Sequence, residues 1–181
     1  MPTWNMTLLM SEPVELSLAW SAVAFIVASA AALGRSGLIL DGAYRVDAFS
    51  QVLKLVLGLV FLLVVLAGGR LPDIHAEVKP EYFLLLTLSM TGLVLLVSCV
   101  EVITLVIALE LSSFPLFLMV PMRREQAGYR SQMEAAAKYI MFSVAATGLM
   151  FFGLSYLFGL TGTLHLVDLA PRLQPLWGEP L

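Results

Sequence analysis

The stretch ALELSSFPLF, residues 108–117, places a carboxylate, Glu110, among apolar residues and five positions ahead of Pro115. A second stretch, SQMEAAAKYIMFS at 131–143, carries Glu134 and Lys138 four residues apart, which puts them on one face of a helix. A carboxylate and an ammonium about 4 Å apart at an effective dielectric near 20 attract by roughly 4 kcal/mol. Moving such a pair apart destabilises both charges, so that one group takes up a proton and the other releases one. These residue types therefore suit proton movement driven by a mechanical or electrostatic input. They call for no catalytic residue and no covalent step.

Each residue also has a plainer reading. Glu110 would be a permanently neutral acid bonded to a neighbouring helix. Yet at about 1.5 Å per residue it lies roughly 13 Å into a hydrocarbon core about 30 Å thick. An ionised side chain there costs at least about 2.5 to 3.5 kcal/mol, so a carboxylate kept at that depth points to a proton or ion pathway. Ser131 and Glu134 match the S-x-x-E capping box, which would make Glu134 a helix cap. Lys138 would snorkel to the interface. The three alanines before it, Ala135 to Ala137, instead favour a lysine enclosed by closely approaching helices. Lys54, near the outer end of its helix, reads as a snorkelling residue first and a relay member second. Pro115 kinks its helix and frees the Leu111 carbonyl, with Ser112 and Ser113 at hand to satisfy it or hold water.

Those residues need membrane helices to hold them. The chain has 181 residues, 60% hydrophobic and 13% charged, with net charge −3. That composition is of an integral membrane protein, and apolar stretches of spanning length recur with short polar gaps. The expected fold is an all-α transmembrane bundle of about five spans over 1–160, at about 14–34, 47–68, 81–98, 101–121 and 132–160. Residues 161–181, with Pro171, Pro175 and Pro180, are expected to form an irregular extracytoplasmic tail. Asp41-Gly42 and Leu71-Pro72-Asp73 mark turns between spans.

Arg123, Arg124 and Arg130, with Arg70 and Lys79, crowd one side, against Arg35, Arg45 and Arg172 on the other. The first group is expected to face the cytoplasm. Arg45 and Asp47 are expected to form a polar start to the second helix, His75 and His165 to be solvated loop residues, and Gly148, Gly153 and Gly159 to serve packing. Scattered basic residues exclude nucleic-acid binding. A single cysteine, Cys99, excludes an internal disulfide, and the absence of a Cys/His cluster argues against iron–sulfur or zinc sites, so any redox centre belongs to a partner. The N-terminus lacks the basic start of a secretory signal, and its first apolar stretch is expected to remain as a helix.

ALELSSFPLFLMVPMRR, followed by EAAAKYIMFSVAATGLMFFGLSYLFGLTGTL, resembles the antiporter-like subunit N of bacterial proton-pumping NADH:quinone oxidoreductase. YRVDAFS at 44–50 and YFLLLTLSMTGLVLLVS fit the same family, so the similarity covers nearly the whole chain. The resemblance implies that Glu110 is the family's midmembrane glutamate, Lys138 the lysine of the next helix and Glu134 the acidic residue before it. It implies an antiporter-like fold of inverted repeats and a place in the membrane arm of a respiratory complex in the bacterial inner membrane. NAD, FMN, iron–sulfur clusters and quinone would sit on partner subunits, with none in this chain.

Against the family pattern, the first helix, the broken seventh helix and the second repeat fall outside these residues. A split gene, with another chain supplying the remaining half, is the favoured expectation over a truncated remnant. The competing functions are a subunit of a multi-component Na+/H+ antiporter and a structural bundle with an inert Glu110.

Overall fold

The computed structural model describes residues 6–68, 74, 78–122 and 129–176, with side chains described at 14–68, 74, 78–122 and 132–175. The expectations that rest on Arg70, His75, Arg123 and Arg124 lie outside the described residues. Among the described residues, five helices are long and apolar enough to cross a membrane. They are α1 (Met6–Ala31), α2 (Ala48–Gly68), α3 (Lys79–Ser98), α4 (Val102–Met119) and α5 (Tyr129–Thr161), and a short α6 (Leu166–Leu173) follows. Their starts and ends differ from the expected spans by a few residues, most at the N-terminus of α1.

Two elements depart from expectation. Between α1 and α2 the chain forms an antiparallel hairpin, β1 (Gly37–Ile39) against β2 (Tyr44–Val46), where sequence suggested only a turn. Leu40, Asp41 and Gly42 all have positive φ, and the Ala43 amide closes the loop on the Leu40 carbonyl at 3.0 Å. Glycine adopts that backbone freely, whereas the two residues before it are strained, and the hairpin's backbone pairing offsets that cost. The expected irregular tail instead contains α6. Its arginine turns back, and Arg172 Nη1 donates to the Thr161 carbonyl at 2.8 Å, satisfying one of the orphan acceptors at the α5 C-terminus.

Backbone hydrogen bonds join the helix ends on the hairpin side. The extended link Cys99–Glu101 between α3 and α4 is bridged to Tyr44 on one side and His165 on the other. The Val100 amide donates to Ala43, the Val102 amide to Leu164 and the Leu166 amide to Val100. This seam sets the height at which α4 begins, and with it the depth of Glu110.

Asp47 starts α2 as a reciprocal cap. Its Oδ1 accepts the Ser50 amide at 2.7 Å while Ser50 Oγ accepts the Asp47 amide at 3.0 Å. The Ser50 amide holds the Asp47 carboxyl below its ordinary value of 3.8, against an opposing effect of burial and with help from the Ser50 hydroxyl, Arg45 and Lys54. Arg45 Nε lies 3.5 Å from Asp47 Oδ2, forming the expected polar start. A carboxyl more acidic in the folded than in the unfolded state stabilises fully above the unfolded value and loses that contribution as pH falls through the folded one. Asp47→Ala is expected to cost about 1 kcal/mol, the usual worth of such a cap. In thermal unfolding of detergent-solubilised protein, its deficit should shrink below about pH 4, in the range where both folded and unfolded forms lose the carboxylate.

The helices pack where small residues let them. Ala22, Phe61 and Val65 form the core of the α1–α2 contact, flanked by Leu86 and Met90 of α3. Gly58 lies against Phe25 and Ile26, and Gly68 against the Phe83 ring. The closest approach is between α3 and α4. A methyl placed on Gly92 would lie 2.7 Å from the Leu111 carbonyl carbon and from Ser112 Cα, inside van der Waals contact with backbone. One turn away, Ser89 Oγ donates to the Ser112 carbonyl at 2.6 Å. Glu110 therefore sits on a turn of α4 that is clamped to α3.

Candidate functional site

Glu110 is half-buried in the interior of α4, eight residues past Val102 and thus about 12 Å along the helix. Its Oε1 accepts a hydrogen bond from Thr147 Oγ1 of α5 at 2.7 Å. Among the described residues no cation lies within ion-pair distance of it. Pro115, almost fully buried, stands inside an unbroken α4. Ser112 and Ser113 do not reach the carbonyl it frees, since both hydroxyls donate to Leu109 at 2.8 Å. The contact to the loosened turn comes from Ser89, on another helix.

The structure separates Glu110 from Lys138. Lys138 Nζ bonds Glu134 Oε1 at 2.6 Å, and both side chains are exposed, at 66% and 60%. Helical geometry explains why. Thr147 follows Lys138 by nine residues, which is two and a half turns, so the two point to opposite sides of α5. The less exposed positions of α5 recur as Gln132, Ala136, Ile140, Ser143, Thr147, Met150, Leu154, Leu157 and Thr161, the three-and-four spacing of a single packing seam. This seam meets α4 and includes Ala136, while the neighbouring Tyr139 packs edge-on against Phe117 with ring centroids 4.6 Å apart. Glu134 and Lys138 lie on the other face. Where a lysine enclosed by closely approaching helices is expected, no helix encloses Lys138 among the described residues.

Glu134 is not the expected cap either. The helix begins at Tyr129, two residues before Ser131, so Ser131 does not occupy the N-cap position. A Cβ placed on Gly148, Gly153 or Gly159 would meet no atom within 4 Å, so these glycines make no packing contact among the described residues. Sequence reasoning misses Thr147. A signal for it exists in the spacing Ala136, Ile140, Ser143, Thr147, which puts small or polar residues at three of four positions on one line.

Lys54 does not snorkel to open solvent. It is 4% exposed, its Nζ donates to Tyr44 Oη at 2.8 Å, and it lies 4.7 Å from the centre of that ring. The hairpin brings the phenol over the lysine, combining a hydrogen bond with a cation–π contact. Tyr44→Phe should leave the buried ammonium without its hydrogen-bond acceptor and cost about 1 to 3 kcal/mol. Lys54→Met should cost less, because it removes the charge together with its need for a partner. Thermal unfolding of the two variants in the same detergent gives the comparison. His165 is exposed, and its backbone, not its ring, joins the end seam. Among the described residues no group of three His, Cys, Asp or Glu is placed to hold a metal.

The comparisons with known proteins agree with this architecture. The family described as NADH:quinone oxidoreductase/Mrp antiporter, transmembrane, matches residues 99–177, which contain α4, α5 and α6. A curated relative from Opitutus terrae, NADH-quinone oxidoreductase subunit N 2, is 58% identical over 156 residues, 86% of this chain and 33% of the relative. The protein of the same name from Solidesulfovibrio magneticus is 43% identical, over 80% of this chain and 30% of its own length. The chain therefore spans about a third of the length of the curated relatives it matches.

Among solved structures, a chain of respiratory complex I from Thermus thermophilus superposes with a TM-score of 0.69 at 25% identity, covering 86% of this chain and 33% of that one. A chain of an archaeal membrane-bound sulfane sulfur reductase shares the fold, with a TM-score of 0.70 at 16% identity over 91% of this chain and 37% of its own. The protein is a multi-pass, all-α membrane protein of antiporter-like fold. Residues 99–177 thus match the antiporter-like membrane-subunit family of NADH:quinone oxidoreductase, and most of the chain is similar to about a third of a subunit N.

Proposed function

We propose that the chain works in the membrane arm of a respiratory NADH:quinone oxidoreductase-like complex, where it takes part in coupling quinone reduction to proton translocation, with Glu110 as its proton-holding group. The observation that carries this reading is a half-buried carboxylate in the interior of a spanning helix, held by one hydroxyl and facing no cation among the described residues. A carboxyl there is a group that can bind a proton and hand it on, which is what a translocation path needs inside a membrane.

Lys138 and Glu134 supply charge on the opposite face of α5. An ion pair facing lipid is unfavourable, so a further helix covers this face. We assign that helix to the part of the antiporter-like fold outside these 181 residues. The remaining partners are the other membrane-arm subunits, the surrounding lipid, and peripheral subunits that carry NAD, FMN, iron–sulfur clusters and quinone. Pro115 and the Ser89 contact hold the Glu110 turn, and Lys54 anchors the hairpin rather than passing protons. The membrane is the bacterial inner membrane, with the α4–α5 connection on the cytoplasmic side, as the clustering of Arg123, Arg124 and Arg130 favours. The test is Glu110→Gln in the assembled complex, with protons moved per electron measured beside the electron-transfer rate. Unchanged proton yield would remove Glu110 from the pathway.

A further inference from the structure

We infer that Thr147 is a positioning residue for Glu110: it holds the carboxyl on the α4–α5 seam in the state where no cation faces it. The inference rests on the reading of Glu110 as a proton-holding group. Thr147 Oγ1 lies 2.7 Å from Glu110 Oε1, and it is the hydrogen-bond partner that the described residues give that side chain. The hydroxyls nearest in sequence are committed elsewhere, Ser112 and Ser113 both to the Leu109 carbonyl. Lys138 of α5 points to the opposite side and is bound to Glu134.

A hydroxyl suits this position because it serves both protonation states. It donates to the ionised carboxylate, and more weakly to the carbonyl oxygen of the protonated acid, whose own O–H remains free to bond elsewhere. The carboxyl thus keeps one bond through a cycle of proton uptake and release, and its orientation is conserved while its charge changes. The bond also ties the charge state of α4 to the rotational setting of α5, because Thr147 and the Glu134–Lys138 pair are carried by one rigid helix.

The test uses the intact complex purified from its own membrane, carrying Thr147→Val, Thr147→Ser or Glu110→Gln. Valine matches threonine in shape and removes only the hydroxyl, and serine restores it. Infrared difference spectra on acidification report the C=O stretch of the protonated Glu110 acid, identified as the band lost in Glu110→Gln. With Thr147→Val that band should move to higher frequency, as a carbonyl does on losing a donor, and protons moved per electron should fall at least two-fold with electron transfer retained. Thr147→Ser should restore both.

A band that stays in place in Thr147→Val, while Glu110→Gln still lowers the proton yield, overturns the role of Thr147 and leaves that of Glu110 standing. If Glu110→Gln leaves proton yield unchanged, the reading of Glu110 falls and the inference falls with it.

Discussion

Glu110→Gln is expected to lower the protons moved per electron to the level of a complex in which this subunit carries none, while electron transfer between the redox groups continues. Glutamine keeps the size of the side chain and an oxygen that can accept the Thr147 hydroxyl, so the α4–α5 contact survives the change. What it removes is the capacity to bind and release a proton. The effect is therefore on coupling and not on assembly, and the yield of intact complex should match the parent. Glu110→Asp keeps the acid but shortens the reach by one methylene. It should retain part of the coupling and show the importance of the distance to Thr147. Parallel recordings of acidification and of electron-donor oxidation in inverted vesicles separate the two quantities. A loss of both together would mean instead that the substitution had damaged the complex.

The second large effect is expected at Gly92, which touches no ionisable group. A Cβ there meets the Leu111 carbonyl carbon and Ser112 Cα at 2.7 Å, and these are backbone atoms that cannot swing aside like a side-chain tip. Gly92→Ala must push α3 and α4 apart, and overpacking of this kind costs about 1 to 3 kcal/mol. The displacement also strains the 2.6 Å Ser89–Ser112 hydrogen bond that lies on the same face. Gly58→Ala is the informative comparison. Its nearest neighbours are Ile26 Cγ1 at 2.8 Å and the Phe25 ring at 3.0 Å, which are side chains able to give. The Gly92 variant should therefore unfold at a lower temperature than the Gly58 variant in the same detergent. It should also reduce proton yield, because the turn carrying Glu110 moves with α4. An equal loss in the two variants would mean that α3 and α4 are free to separate.

The spans, the membrane class and Glu110 as a carboxylate within a spanning helix are all legible from the sequence alone. Each rests on local features: about 20 apolar residues per crossing, a proline and glycine pattern at the breaks, and one acid at a countable distance from a helix start. The family resemblance rests likewise on contiguous stretches, notably ALELSSFPLF and EAAAKYIMFS. Asp47-x-x-Ser50 is equally open to reading as a cap, since its bonds close within four residues.

The rotation of α5 is decided by tertiary structure. This helix is apolar nearly all round, so no polar face marks which side meets α4, and Lys138 stands out as a partner by charge alone. Packing instead sets Thr147 toward Glu110 and leaves Lys138 half a helical circumference away. The burial of Lys54 depends in the same way on a hairpin formed by residues 37–46, whose strands of three residues are too short to announce themselves by alternation. The Gly92 contact joins residues about twenty positions apart on antiparallel helices. Periodicity states which residues of one helix share a face. Only the fit of side chains between helices determines which face finds which neighbour, and that fit places a hydroxyl, not an ammonium, on the carboxylate.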